Sequence, residues 1–84
     1  MKTYKEAIER SIELNHELPS KTAFQQFLRN EKQMTYQAIS DLTGTGKQEV
    51  WNRCNGEYTI RSWENRTEQE MELCNKLYEI IYSD

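Results

Sequence analysis

Hydrophobic positions recur along this chain at three- and four-residue intervals between short polar breaks, a spacing that predicts helices throughout. Residues 2–18 place Tyr4, Ala7, Ile8, Ile12 and Leu14 or Leu18 on one face and Glu6, Glu9, Arg10, Glu13 and Glu17 on the other. Pro19 stops this first helix, because the residue before a proline is pushed out of the helical region. Ser20 is placed as the N-cap of a second helix, which turns Phe24, Phe27 and Leu28 inward and ends near Arg29 and Asn30.

After the polar break Glu31-Lys32-Gln33, Thr35 caps a third helix over 36–43, and Met34 and Ile39 stand in the positions of a hydrophobic staple. Gly44 ends it, since glycine supplies the left-handed conformation at least cost. The tight connection Gly44-Thr45-Gly46 leads into a fourth helix over 47–55, with Val50 and Cys54 as its inner stripe and Gly56 as its stop. A connector carrying Tyr58, Ile60 and Trp63 has room for one helical turn. Thr67-Glu68-Gln69-Glu70 reads as a capping box, in which Thr67 and Glu70 satisfy each other's backbone donors. The last helix, 67–82, carries Met71, Leu73, Cys74, Leu77, Tyr78, Ile80, Ile81 and Tyr82, an apolar arc too wide for one packing contact. The expectation is an all-α domain of five to six helices spanning 1–84.

Composition narrows the class. Eighty-four residues make one small domain, burying only about 60–65% of the surface its unfolded chain exposes. At 36% hydrophobic and 11% aromatic, disorder is not the default. Three glycines and one proline are too few for an all-β fold, which needs a turn about every 8–12 residues. No apolar run is long enough to span a membrane, and the acidic N-terminal stretch is unlike a signal peptide. Cys54, Cys74 and one histidine make neither a disulfide framework nor a zinc site; both thiols are expected as small buried hydrophobes. A soluble, cytoplasmic protein without metal or cofactor is expected.

The most specific segment runs from Tyr36 to Gly56. Two short helices meet across a glycine-started turn. Small Ser40 lets the second approach the first, while Ile39 and Val50 anchor the pair in a shared core. With Ile39, Ser40, Gly44, Val50, Asn55 and Gly56 in register, this segment resembles the helix-turn-helix domains of phage repressors and Cro proteins, the Xre-like family. The resemblance covers about residues 20–60, including Phe24, Phe27, Leu28 and the capped start at Met34-Thr35. Tyr36 stands where the family usually has a phosphate-binding glutamine, Thr43 replaces an apolar residue, and Arg53 occupies a position that is commonly Ile or Leu.

The resemblance implies a sequence-specific DNA-binding transcriptional regulator of phage, prophage or bacterial type, its second helix entering the major groove of double-stranded DNA. Thr45, Lys47, Gln48 and Glu49 match the early, base-reading positions, with Trp51 and Asn52 one turn on. Gln48 suits adenine, Lys47 guanine and Glu49 the cytosine amino group. Tyr36, Gln37 and Asn55 would hold phosphates and set register. The plain alternative is that Lys47, Gln48 and Glu49 form the solvated first turn of a helix. Trp51, beside Val50, is expected as a core or interface residue in preference to packing on the sugar-phosphate backbone.

A net charge of −3 excludes an indiscriminate basic coat, but its distribution matters more than its sum. Residues 1–19 carry −1, residues 20–63 carry +2 and residues 64–84 carry −4. The motif-bearing middle is therefore mildly positive. Such domains usually dimerise, and Tyr78, Ile81 and Tyr82 are the candidate homodimer surface, unless the first helix folds back to cover the arc. The competing function is a protein that uses the same scaffold to bind another protein: a repressor, a polymerase subunit or a host defence factor. His16, beside Glu13 and Glu17, is expected on the surface. Glu68, Glu70 and Glu72 do not share a face, and Gly44-x-Gly46-Lys47 lacks the rest of a phosphate loop. Nothing in the sequence suggests an enzyme.

Overall fold

The computed structural model describes residues 1–56 and 63–83, so the expectations placed on Tyr58 and Ile60 lie outside the described residues. Five α-helices and one 3-10 turn follow in order: α1 (Tyr4–Glu13), α2 (Lys21–Asn30), α3 (Tyr36–Thr43), α4 (Lys47–Asn55), the turn at Trp63–Asn65, and α5 (Glu68–Tyr82). There are no strands among the described residues, and the all-α class is the one expected. The chain folds as two compact units, Ser20–Arg66 and Met1–Pro19 with Thr67–Asp84.

In the Ser20–Arg66 unit, α2 is the central element, packed by α3, α4 and the 3-10 turn. Six consecutive residues, Ala23 to Leu28, are buried. Phe27 touches Phe24 on one side and the edge of Trp63 on the other, with centroids 6.2 and 5.9 Å away. Trp63 is buried in turn, and its indole N–H donates to Glu31 at 2.6 Å, so the apolar ring is inside while its polar handle is satisfied. Ser20 caps α2 and Thr35 caps α3, each accepting from a backbone N–H at 3.1 Å. Gln33 and Gly44, with φ of 55° and 70°, turn the chain before α3 and after it.

In the other unit, α1 packs against α5. Ala7 and Ser11 of α1 and Cys74, Leu77 and Ile81 of α5 are buried, the latter at helical spacing along one stripe. The Lys2 N–H donates to the Ile81 carbonyl at 2.8 Å, which satisfies an acceptor that the end of α5 leaves open. The wide arc of α5 is thus partly covered by α1 within the chain.

Three local expectations change. The first helix stops at Glu13 instead of continuing to residue 18, because Asn15 takes the left-handed conformation with φ 57°. Leu14 and Leu18 fall outside the helix and lie exposed, as does Ile12 within it. His16 lies beyond the helix and is half-buried, not a surface residue: its backbone N–H donates to Ser11, and its Nδ1 is enclosed without a hydrogen-bond partner. At Thr67 the hydroxyl accepts from the Glu70 N–H as expected and also donates to the Glu70 carboxylate, 3.2 Å away. The reciprocal box forms instead at α1, where Thr3 and Glu6 each accept from the other's backbone N–H at 3.1 Å. Hydrogen bonding to Thr3, first from its backbone N–H and then from its hydroxyl, holds the Glu6 carboxyl below its usual value of 4.5.

Candidate functional site

The fixed side of α4 explains its exposed side. Val50 is buried among the apolar residues of the Ser20–Arg66 unit, and Gln26, itself buried, donates to the Arg53 carbonyl at 2.8 Å near the end of α4. Gln26 also accepts from the Arg66 guanidinium, so one amide ties the end of α4 to the segment after the 3-10 turn. At the other end, Gln25 is fully buried, and its amide N–H group reaches Thr43 at 3.2 Å and Thr45 at 3.0 Å. The Thr43 hydroxyl donates back to Ile39 at 2.7 Å. Ser40 does more than leave room for α4, because its hydroxyl donates to the Thr45 carbonyl at 2.6 Å and fastens the α3–α4 connection.

This network accounts for Thr43. A hydroxyl stands where an apolar residue was the pattern because Gln25 needs an acceptor inside, and a buried amide without one is costly. It also removes Thr45 from the proposed base-reading set. Thr45 is 5% exposed with its hydroxyl turned inward to Gln25, so its side chain is not part of the outer surface.

Most of the remaining candidates come together. Lys47, Gln48, Asn52 and Asn55 lie on one face of α4, spaced by three, four or one residues, with Trp51 among them. Gln48 donates to Asn52 at 3.2 Å, and Asn55 donates to the Trp51 carbonyl at 3.1 Å and to the Tyr36 hydroxyl at 2.9 Å. Tyr36 and Asn55, 19 residues apart, are thereby joined across the α3–α4 pair. Glu49 lies to one side in an ion pair with Arg53 at 3.1 Å, and Gln37 pairs with Asp41 at 2.9 Å along α3. These are exposed bonds within single helices, weak enough to exchange for an outside partner. The Lys47 side chain makes no hydrogen bond or ion pair among the described residues. Gly46 provides no side-chain cap to the first N–H groups of α4.

One participant was not assigned from sequence, and the burial of another was left open between core and interface. Arg29 lays its guanidinium over the Tyr36 ring, 4.3 Å from the centroid, and donates to the Met34 carbonyl at 3.0 Å. It presets the ring at the start of α3, a contact between helices that no periodicity announces. Trp51 is not a core residue: it is 46% exposed and, with Tyr36, Lys47 and Gln48, lines a shallow cavity of about 350 Å³. Val50 and Trp51 are adjacent on a helix, about 100° apart, so burial of the first carries no information about the second.

Behind the face, Cys54 is half-buried, its thiol directed to the Gln25 carbonyl at 3.8 Å, and burial pushes the thiol pKa up. Cys74 is fully buried in the other unit, and neither cysteine is in a disulfide. Of the three α5 residues assigned to a dimer surface, Ile81 is buried within its own unit, Tyr78 is half-buried against Tyr82, and Tyr82 is exposed. Among the described residues no cluster of His, Cys, Asp and Glu could hold a metal ion, and no helix is long and apolar enough to cross a membrane. Comparisons with family models, with characterised proteins and with solved structures found no match to this chain.

Proposed function

We propose that the Ser20–Arg66 unit binds double-stranded DNA as a transcriptional regulator, presenting the outer face of α4 to the major groove in the manner of phage-type helix-turn-helix proteins. The observation that carries this reading is the arrangement of α4. Lys47, Gln48 and Asn52 project from one exposed face, while the opposite face is fixed by Val50 and the Gln26 bond to Arg53. Amide and ammonium groups on a rigid helix suit the donor and acceptor pattern of base edges. Tyr36, held by Arg29 and Asn55, and the uncapped start of α4 suit phosphate oxygens at the groove walls. Charge agrees: residues 20–66 carry seven basic and five acidic side chains, whereas the rest of the chain is net −5.

A second copy of the chain would supply the second half-site, since one helix reads too few base pairs for useful affinity. Tyr82 and the open part of Tyr78 are the surface for it. The competing reading, capture of another protein, has the exposed Trp51 in its favour, because half-exposed aromatics in shallow cavities often anchor protein interfaces. Retention of DNA fragments from a random pool separates the two. Retention at low salt that falls steeply with added salt, and is weakened in K47A and Q48A, supports DNA binding. No retention at low salt removes it and leaves the protein partner.

A further inference from the structure

Trp51 is the part of the α4 face that hydrogen bonding to bases leaves unused. It stands midway along that face, with Lys47 one turn before it, Asn55 one turn after it, and Gln48 and Asn52 on the adjoining row. An indole 46% exposed among amide and ammonium groups leaves apolar area in water, and covering that area on binding is favourable. Phosphates line the walls of the major groove, whereas the middle of a helix face lies toward its floor. What the floor offers an apolar surface is the C5 methyl group of thymine.

Resting on the reading that this face enters the major groove, we propose that Trp51 is a specificity-determining residue that selects thymine by packing its indole against the C5 methyl. Lys47 and Gln48, which share the cavity with it, then address the neighbouring base pairs. The same geometry gives Tyr36 a place at the cavity edge without making it a base reader, since its hydroxyl is engaged by Asn55.

The test uses the full chain and duplexes recovered from a random DNA pool at low salt. Each thymine is replaced in turn by deoxyuridine, which removes the methyl and nothing else. The expected result is a loss of about fourfold in affinity at one or two positions, the size of one methyl contact. W51A, whose helicity is checked by circular dichroism, should bind both duplexes alike, and W51F should discriminate less than the parent. Equal affinity for thymine and uracil at every position overturns the proposal while leaving DNA binding intact. So does undiminished discrimination in W51F, which carries the comparison if W51A binds too weakly to measure. Failure to recover any duplex removes the DNA reading and this proposal with it, and that outcome is recognised by the absence of binding altogether.

Discussion

Helices α1 and α2 are each ten residues long, each opens on a hydroxyl cap, and each carries four apolar residues, yet they end in opposite environments. Six consecutive residues of α2 are buried, including Gln25 and Gln26, whereas α1 buries only Ala7 and Ser11 and leaves Ile12 61% exposed. The difference is the number of neighbours. α2 is contacted by α3, α4 and the 3-10 turn, so even polar residues on its flanks are enclosed; Gln26 finds partners for both ends of its amide and Gln25 for its N–H group. α1 has one packing neighbour in its unit, α5, and its flanks stay wet. Burial of a helix is therefore a property of what surrounds it, and the two buried glutamines turn enclosure into the positioning of α4.

The largest effect should come at the centre of α2. Phe27→Ala removes a ring packed between Phe24 and Trp63 and should cost about 3–5 kcal/mol. Ile12→Ala in α1 should stay within about 0.5 kcal/mol, as for an exposed position. Urea unfolding of both variants checks the pair, and equal losses would break the comparison. Gln26→Ala comes next. It strips the Arg53 carbonyl and the Arg66 guanidinium of a buried partner and should cost about 1–3 kcal/mol. Hydrogen exchange should quicken at the end of α4 in that variant; unchanged protection there would mean the amide does not position the helix.

Thr3→Ala should cost about 1 kcal/mol, seen as lost helicity of α1, because it removes the capping hydroxyl. The same box gives the smallest effect, and its sign is fixed. Glu6 has a folded pKa below 4.5, so its contribution is fully present above that value and is lost as pH falls through the folded value. Helicity of α1 should decline in that acid range, and Glu6→Ala should remove this component of the titration. Lys47→Ala sharpens the comparison from the functional side. It should leave stability within about 0.5 kcal/mol and, under the proposed DNA-binding function, lower the salt slope of binding by about one.

Much of the fold was legible because its signals are local. Ser20 and Thr35 cap where their side chains can reach a following N–H, Gly44 turns where a left-handed residue is needed, and α4 runs over the expected 47–55. The end of α1 was less legible: Pro19 marks the latest possible stop, but Asn15 turns the chain first. In the site, helical spacing brought Lys47, Gln48, Asn52 and Asn55 to one face. It could not show that Thr45 turns inward to Gln25, that Arg29 covers Tyr36, or that Trp51 stays outside. The first depends on a residue 20 positions away and the second on a contact between two helices, neither of which periodicity records.

By itself, then, the sequence determined the helices, their caps and the mildly positive middle of an acidic chain, because periodicity, short-range hydrogen bonding and charge are written along it. Tertiary structure decided which polar residues are enclosed and which aromatic is exposed. Gln25 and Gln26 look like surface residues in any window of sequence; they become the fastenings of α4 only when α3, α4 and the 3-10 turn close around α2. Enclosure removes water as a partner, and it is that removal which dictates where Thr43, Thr45 and the Arg53 carbonyl must be.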